Sequence, residues 1–234
     1  MRFVVPLLLI AALTLPASAA EPYVWSPDQR TIVDDWLRAV GKRKPKESLG
    51  ELAVRAGKLR MGTPYLDPAQ LDVAEELHIE LSTLQCQSFV ESSLAVARCV
   101  WNETPAAECV AEEIRGFRYR DGVVAGFASR LHYFNDWLTD NAKRGSLLLL
   151  GDKLNTKAWT QRFDYMSKHH KRYPQLAHAD ILEAISAAEG RLTSTEYRIV
   201  PKEHVAAAEK ELQTGDVIAF VTSQKPGLMI SHTG

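Results

Sequence analysis

Leu84-Gln85-Cys86-Gln87-Ser88-Phe89-Val90-Glu91 is the stretch on which the reading of this chain turns. Onward from Cys86, the apolar residues Phe89, Val90, Leu94, Ala97, Val100 and Trp101 recur at three- and four-residue intervals. That period predicts a helix with one buried face and with Cys86 on the edge of that face, in the first turn. The first turn of a helix carries unpaired N–H groups and the positive end of the dipole, which favour a thiolate. Only the thiolate attacks a carbonyl efficiently, so Cys86 is the candidate nucleophile.

Downstream, Thr104-Pro105 supplies a cap and a first-turn proline, predicting a second helix from about Thr104 to Arg115 that ends near Gly116. The chain has three cysteines. In an oxidising compartment an odd count leaves at least one free or paired between molecules. Cys99 near the end of the first helix and Cys109 in the second could meet across the hairpin, which leaves Cys86 free. Upstream, Ser26-Pro27-Asp28-Gln29 and Ser48-Leu49-Gly50-Glu51 each combine a cap with Gln or Glu three residues later. Two helices are therefore expected over residues 21–56, as an N-terminal cap on a domain spanning 57–234.

Further along, Tyr119-Arg120-Asp121-Gly122 reads as a turn into Ser129–Trp137, and Pro174 to Glu189 as an amphipathic helix. Tyr197-Arg198-Ile199-Val200 has strand character and is ended by Pro201. After Thr214-Gly215-Asp216, the run Val217–Val221 has the length of a buried strand. Lys225-Pro226-Gly227 turns the chain into a returning strand that starts Leu228-Met229-Ile230-Ser231-His232.

At the other end, Met1-Arg2 precede an apolar run from Phe3 to Leu15 and then Ala17-Ser18-Ala19, the pattern of a cleaved secretory leader over residues 1–20. The run is shorter than the roughly 20 residues that span a bilayer, so an exported, periplasmic or secreted protein without a transmembrane anchor is expected. With 28 basic and 29 acidic residues the formal net charge is -1, which gives no electrostatic reason to expect nucleic acid. His169, His170, His178 and His204 lack the helical spacing around a glutamate that marks a metallopeptidase, so neither a metal nor another cofactor is expected.

Several ordered blocks together resemble a known family. Gly62-Thr63-Pro64-Tyr65, the Cys86 helix, Ser129-Arg130-Leu131-His132-Tyr133, and Gly215-Asp216-Val217-Ile218 leading to Ile230-Ser231-His232 follow the order seen in bacterial N-acetylmuramoyl-L-alanine amidase-like proteins. These are NlpC-type papain-like cell-wall cysteine hydrolases. The resemblance implies an α+β fold in which a helix-borne cysteine packs on an antiparallel sheet whose second strand carries the histidine, with additional N-terminal helices.

Carried over by position, the resemblance makes Cys86 the nucleophile and His232 its base, with Tyr65 offering a second oxyanion donor beside the Cys86 N–H. It makes Arg130 and His132 substrate-cleft residues, since a peptidoglycan stem offers carboxylates to a guanidinium. The residue before the nucleophile, commonly Asp in this superfamily and placed to meet a substrate amine, is Gln85 here. The implied partner is peptidoglycan or a muropeptide, cut between N-acetylmuramic acid and L-alanine. The alternatives are D-glutamyl-diamino acid cleavage within the stem peptide, or a non-catalytic cell-wall binder on the same fold. A third polar residue that orients the histidine usually follows on the next strand, so a C-terminus continuing past Gly234 is expected.

Overall fold

Two apolar clusters fill the interior, and two consecutive helices serve both. The computed structural model describes residues 23–24, 27–65, 76–151, 153–154 and 156–234. The leader expected over 1–20 and the Ser26 cap lie outside those residues. In chain order the described elements are β1 (Tyr23–Val24), α1 (Pro27–Val40), α2 (Leu49–Lys58), β2 (Leu77–His78), α3 (Cys86–Trp101), α4 (Ala107–Arg118), α5 (Phe134–Lys143), β3 (Lys157–Trp159), α6 (Tyr165–Lys168), α7 (Ala179–Thr193), β4 (Tyr197–Ile199), α8 (Val205–Ala208), β5 (Ala219–Val221) and β6 (Ile230–Thr233). Strands pair two by two: β1 with β2 in parallel, β3 with β4 and β5 with β6 antiparallel. Helices joined to small antiparallel sheets are the α+β class expected from the sequence.

The first cluster gathers Trp36 and Leu37 of α1, Leu52 and Ala56 of α2, Ala95 and Val96 of α3, and Val110 and Ile114 of α4. α2 opens with the predicted capping box: Ser48 Oγ accepts the Glu51 N–H, and the Glu51 carboxylate accepts the Ser48 N–H at 2.8 Å. The helix then lies close on α3, where a Cβ on Gly57 would press on Phe89 and Ser93. A Cys99–Cys109 disulfide joins α3 to α4, with Cα atoms 6.0 Å apart, and Cys86 remains a free thiol.

α4 departs from its predicted bounds at both ends. It starts at Ala107 rather than Thr104, because Glu103 adopts a left-handed φ of 60° and the Thr104 N–H donates to the Cys99 carbonyl, so these residues complete a tight reversal. It then runs through Gly116, although glycine costs a helix about 1 kcal/mol. Phe117 just beyond is buried and stacked near Trp137, and the Gly116 carbonyl accepts from Arg144 Nη2 at 2.6 Å, so packing outweighs propensity.

The second cluster joins Val90 of α3 and Phe117 of α4 to Trp137 of α5, Met166 of α6, Ile185 and Leu192 of α7, and Ile230 of β6. The helix predicted from Pro174 begins only at Ala179. Pro174–Ala177 form a single 3-10 turn, and His178, in an extended conformation, separates that turn from α7. The late strand is also shorter than predicted: β5 covers Ala219–Val221, while Ile218 trades hydrogen bonds with Gly234 at 2.8 and 3.0 Å.

Candidate active site

Cys86 is the first residue of α3, and the local chemistry explains why the helix starts there. Gln85 is extended (φ −95°, ψ 169°). Its N–H donates to Ser88 Oγ at 2.8 Å, and its carbonyl accepts the first helical bond from the Phe89 N–H at 2.8 Å. The Cys86 N–H thus falls among the first-turn donors that a helix cannot satisfy internally. Its thiol is half-buried.

The Gly62-Thr63-Pro64-Tyr65 block runs alongside. Leu84 N–H donates to the Pro64 carbonyl at 3.0 Å, and Tyr65 forms a parallel bridge with Leu84. This pairing holds the Tyr65 ring near Cys86 while leaving it 67% exposed. Partial desolvation, and then negative charge at Cys86, hold the Tyr65 phenol above its ordinary value.

Beneath the first turns of α3 lies a buried ion pair. Glu91 is almost wholly buried and accepts from Arg118 Nε at 2.9 Å and from Gln87 Nε2 at 3.0 Å. Arg118 also donates to the His78 carbonyl at 2.9 Å. A carboxylate taken so far from water requires such pairing, and the pair ties the residue after Cys86 to α4 and β2.

β6 packs against α3, and this brings the strand carrying His232 to the helix carrying Cys86. Pairing in the hairpin runs Ala219 to Thr233, Phe220 to His232 and Val221 to Ile230, so Ser231 is an extra residue, a β-bulge. Strict alternation would put Ile230 and His232 on one face. With the bulge, Ile230 and Thr233 are both buried while Ser231 and His232 both face outward.

The other expected site residues take other partners. Arg130 bridges to Tyr119 on the backbone and lies 5.8 Å from the centre of its ring. The His132 ring lies 4.3 Å from that of Phe127, and its Nε2–H donates to the Phe127 carbonyl at 2.8 Å. Burial, with smaller contributions from Arg130 and Arg120, pushes the His132 pKa down to about 3 against the opposing pull of that carbonyl. His132 is therefore a neutral ring that clamps the turn at Phe127–Ser129.

Sequence reasoning passed over Phe220. It belongs to a run read as a buried strand, yet it is 54% exposed and its ring centre lies 5.9 Å from that of its cross-strand neighbour His232. Ile218 and Val221 are exposed with it. The Gly-Asp turn placed His232 in the sequence, and the residue opposite it follows only from the register.

The fold is shared with solved structures. An N-acetylmuramoyl-L-alanine amidase from Bacteroides uniformis superposes with a TM-score of 0.72 at 28% identity, over 80% of this chain and 79% of that one. A protein from Bacteroides fragilis provisionally named a xylanase does so with a TM-score of 0.66 at 30% identity, over 76% and 78%. No curated protein matches. The model of the AmiA-like family, described as N-acetylmuramoyl-L-alanine amidase-like, matches residues 55–234. That span holds the Cys86 helix, Tyr65 and the His232 hairpin, and with it the chain belongs to the AmiA-like family.

Proposed function

We propose that this chain is an exported peptidoglycan hydrolase of NlpC-type, papain-like design, which cuts the amide between N-acetylmuramic acid and L-alanine by a Cys86/His232 mechanism. The observation that carries the reading is the seating of Cys86 at the first position of α3, the helix on which β6 packs with His232 facing outward.

In this mechanism the Cys86 thiolate attacks the lactyl carbonyl carbon, having given its proton to His232. The oxyanion is met by the Cys86 N–H and by Tyr65, and one such donor is worth about 3 kcal/mol in the transition state. The imidazolium then protonates the departing L-alanine amine, leaving a thioester that water hydrolyses with His232 as base. The exposed rings of Tyr65 and Phe220 offer apolar faces on which a sugar can stack.

Mass analysis of muropeptides incubated with the protein tests this reading. Release of an intact stem peptide with a free L-alanine amine is the expected outcome. Cleavage inside the stem would replace it with the endopeptidase reading, and absence of any cleavage with that of a binder.

A further inference from the structure

Among the described residues the most exposed large apolar side chain is Leu148, in the loop that follows α5. α5 ends at Lys143, and Gly145, with a φ of 74°, reverses the chain while the Ser146 N–H returns to the Asn141 carbonyl at 2.8 Å. Four leucines follow, Leu147 to Leu150. Leu147 packs on the second cluster, but Leu148 is 80% exposed and Leu149 56%. Past them, the N–H groups of Lys153 and Leu154 both donate to the Leu150 carbonyl, at 2.9 and 3.2 Å. The exposed leucines are thus held up between two hydrogen-bonded turns, with no partner among the described residues to account for their type.

Their surroundings are cationic. Lys143 and Lys153 flank the leucines, Lys157 follows on β3, and all three are exposed, Lys143 lying 3.8 Å from the Asp121 carboxylate. Arg198 on β4 closes the group: its side chain abuts Gly151, and its Nε donates to Thr156 Oγ1 at 2.8 Å. Between Lys143 and Lys157 the sequence contains one acidic residue, Asp152. An apolar tip inside a cationic collar complements an anionic lipid surface, where phosphate headgroups meet the ammonium groups and the leucines enter the acyl boundary.

We propose that the Leu147–Leu150 loop is an interfacial anchor that seats the protein reversibly on an anionic bilayer. Among the described residues no helix is long and apolar enough to cross a membrane, so the contact lies on the surface. Two leucines and a few cations give weak attachment, sensitive to salt because the cations contribute. The proposal is independent of the hydrolase reading.

Sedimentation of the intact protein with vesicles tests it. The protein should pellet with phosphatidylcholine vesicles containing phosphatidylglycerol and stay in solution with phosphatidylcholine alone. Leu148→Ser/Leu149→Ser should lower partitioning about tenfold with an unchanged thermal transition, since both side chains already face water. Lys143→Gln/Lys153→Gln should weaken it and flatten its salt dependence. No pelleting with the anionic vesicles overturns the proposal, as does equal pelleting of the Leu148/Leu149 variant. A concentration-dependent dimer that this variant abolishes, without any lipid binding, would give the loop to a second copy of the chain instead.

Discussion

Gly50, in the first turn of α2, and Gly215, in the turn that leads to β5, touch backbone to backbone. A Cβ on Gly215 would collide with the Gly50 Cα, and a Cβ on Gly50 with the Thr214 carbonyl. The N-terminal helices are thereby keyed to the hairpin that carries His232. Gly215 also holds a φ of 96°, open in practice only to glycine.

Gly215→Ala should therefore cost more than about 1 kcal/mol, since both strain and collision act at one position. Gly116→Ala is the contrast. Gly116 sits inside α4 with open space where its Cβ would be, so this change should stabilise by up to about 1 kcal/mol. Urea denaturation of the two variants checks both signs.

Cys86→Ala should abolish release of stem peptide, and His232→Ala should nearly do so, each with a loss of about a thousandfold or more, because either change removes the same covalent route. Turnover of purified muropeptides reads this directly. Wild-type-like turnover in Cys86→Ser would remove Cys86 from the mechanism, as a serine with this short relay is a poor nucleophile. Activity that chelators abolish and zinc restores would point to a metal instead.

The Cys99–Cys109 bridge closes a short loop between α3 and α4. Replacing both cysteines with alanine should lower stability by about 2–3 kcal/mol, the value expected for closing a loop of this size. Thermal melts with and without reductant should show the same loss in the parent protein and none in the variant. Peptide maps under non-reducing conditions should leave Cys86 alkylated.

Acid should weaken the fold through His132. Its pKa lies at about 3 in the folded chain against 6.5 for an unperturbed histidine. Between those values the unfolded chain binds the proton and the folded chain does not, so stability falls as pH drops through that window, by up to about 1.4 kcal/mol per pH unit. Above pH 6.5 the residue has no pH effect. His132→Gln should flatten that part of the stability profile measured by denaturation at a series of pH values, and an unchanged slope would assign the acid sensitivity to other groups.

What the sequence discloses here follows from how local each signal is. The Ser48/Glu51 box acts over three residues and was legible, as was the Cys86 helix, whose apolar period is regular over four turns. The disulfide followed from a count of three and from a hairpin. α5 escaped because Asn135, Asp136, Asp140 and Asn141 are buried, so polar residues occupy the face that a pattern search expects to be apolar. They are satisfied by partners distant in sequence: Asp136 by Arg120, and Asn141 by the Phe117 carbonyl. The contact between Gly50 and Gly215 is longer-range still, and nothing in either glycine's neighbourhood announces it.

The extra residue at Ser231 makes the hairpin a matter of aim as much as of composition. Without Ser231 the same partners would make a regular ladder, Ile230 inward, His232 outward and Thr233 inward, so the bulge leaves the faces as they are and instead adds local twist beside His232. Loss of Ser231 should therefore spare the fold and change the bearing of the imidazole, so that the hairpin acts as a mount whose angle is set by one surplus residue.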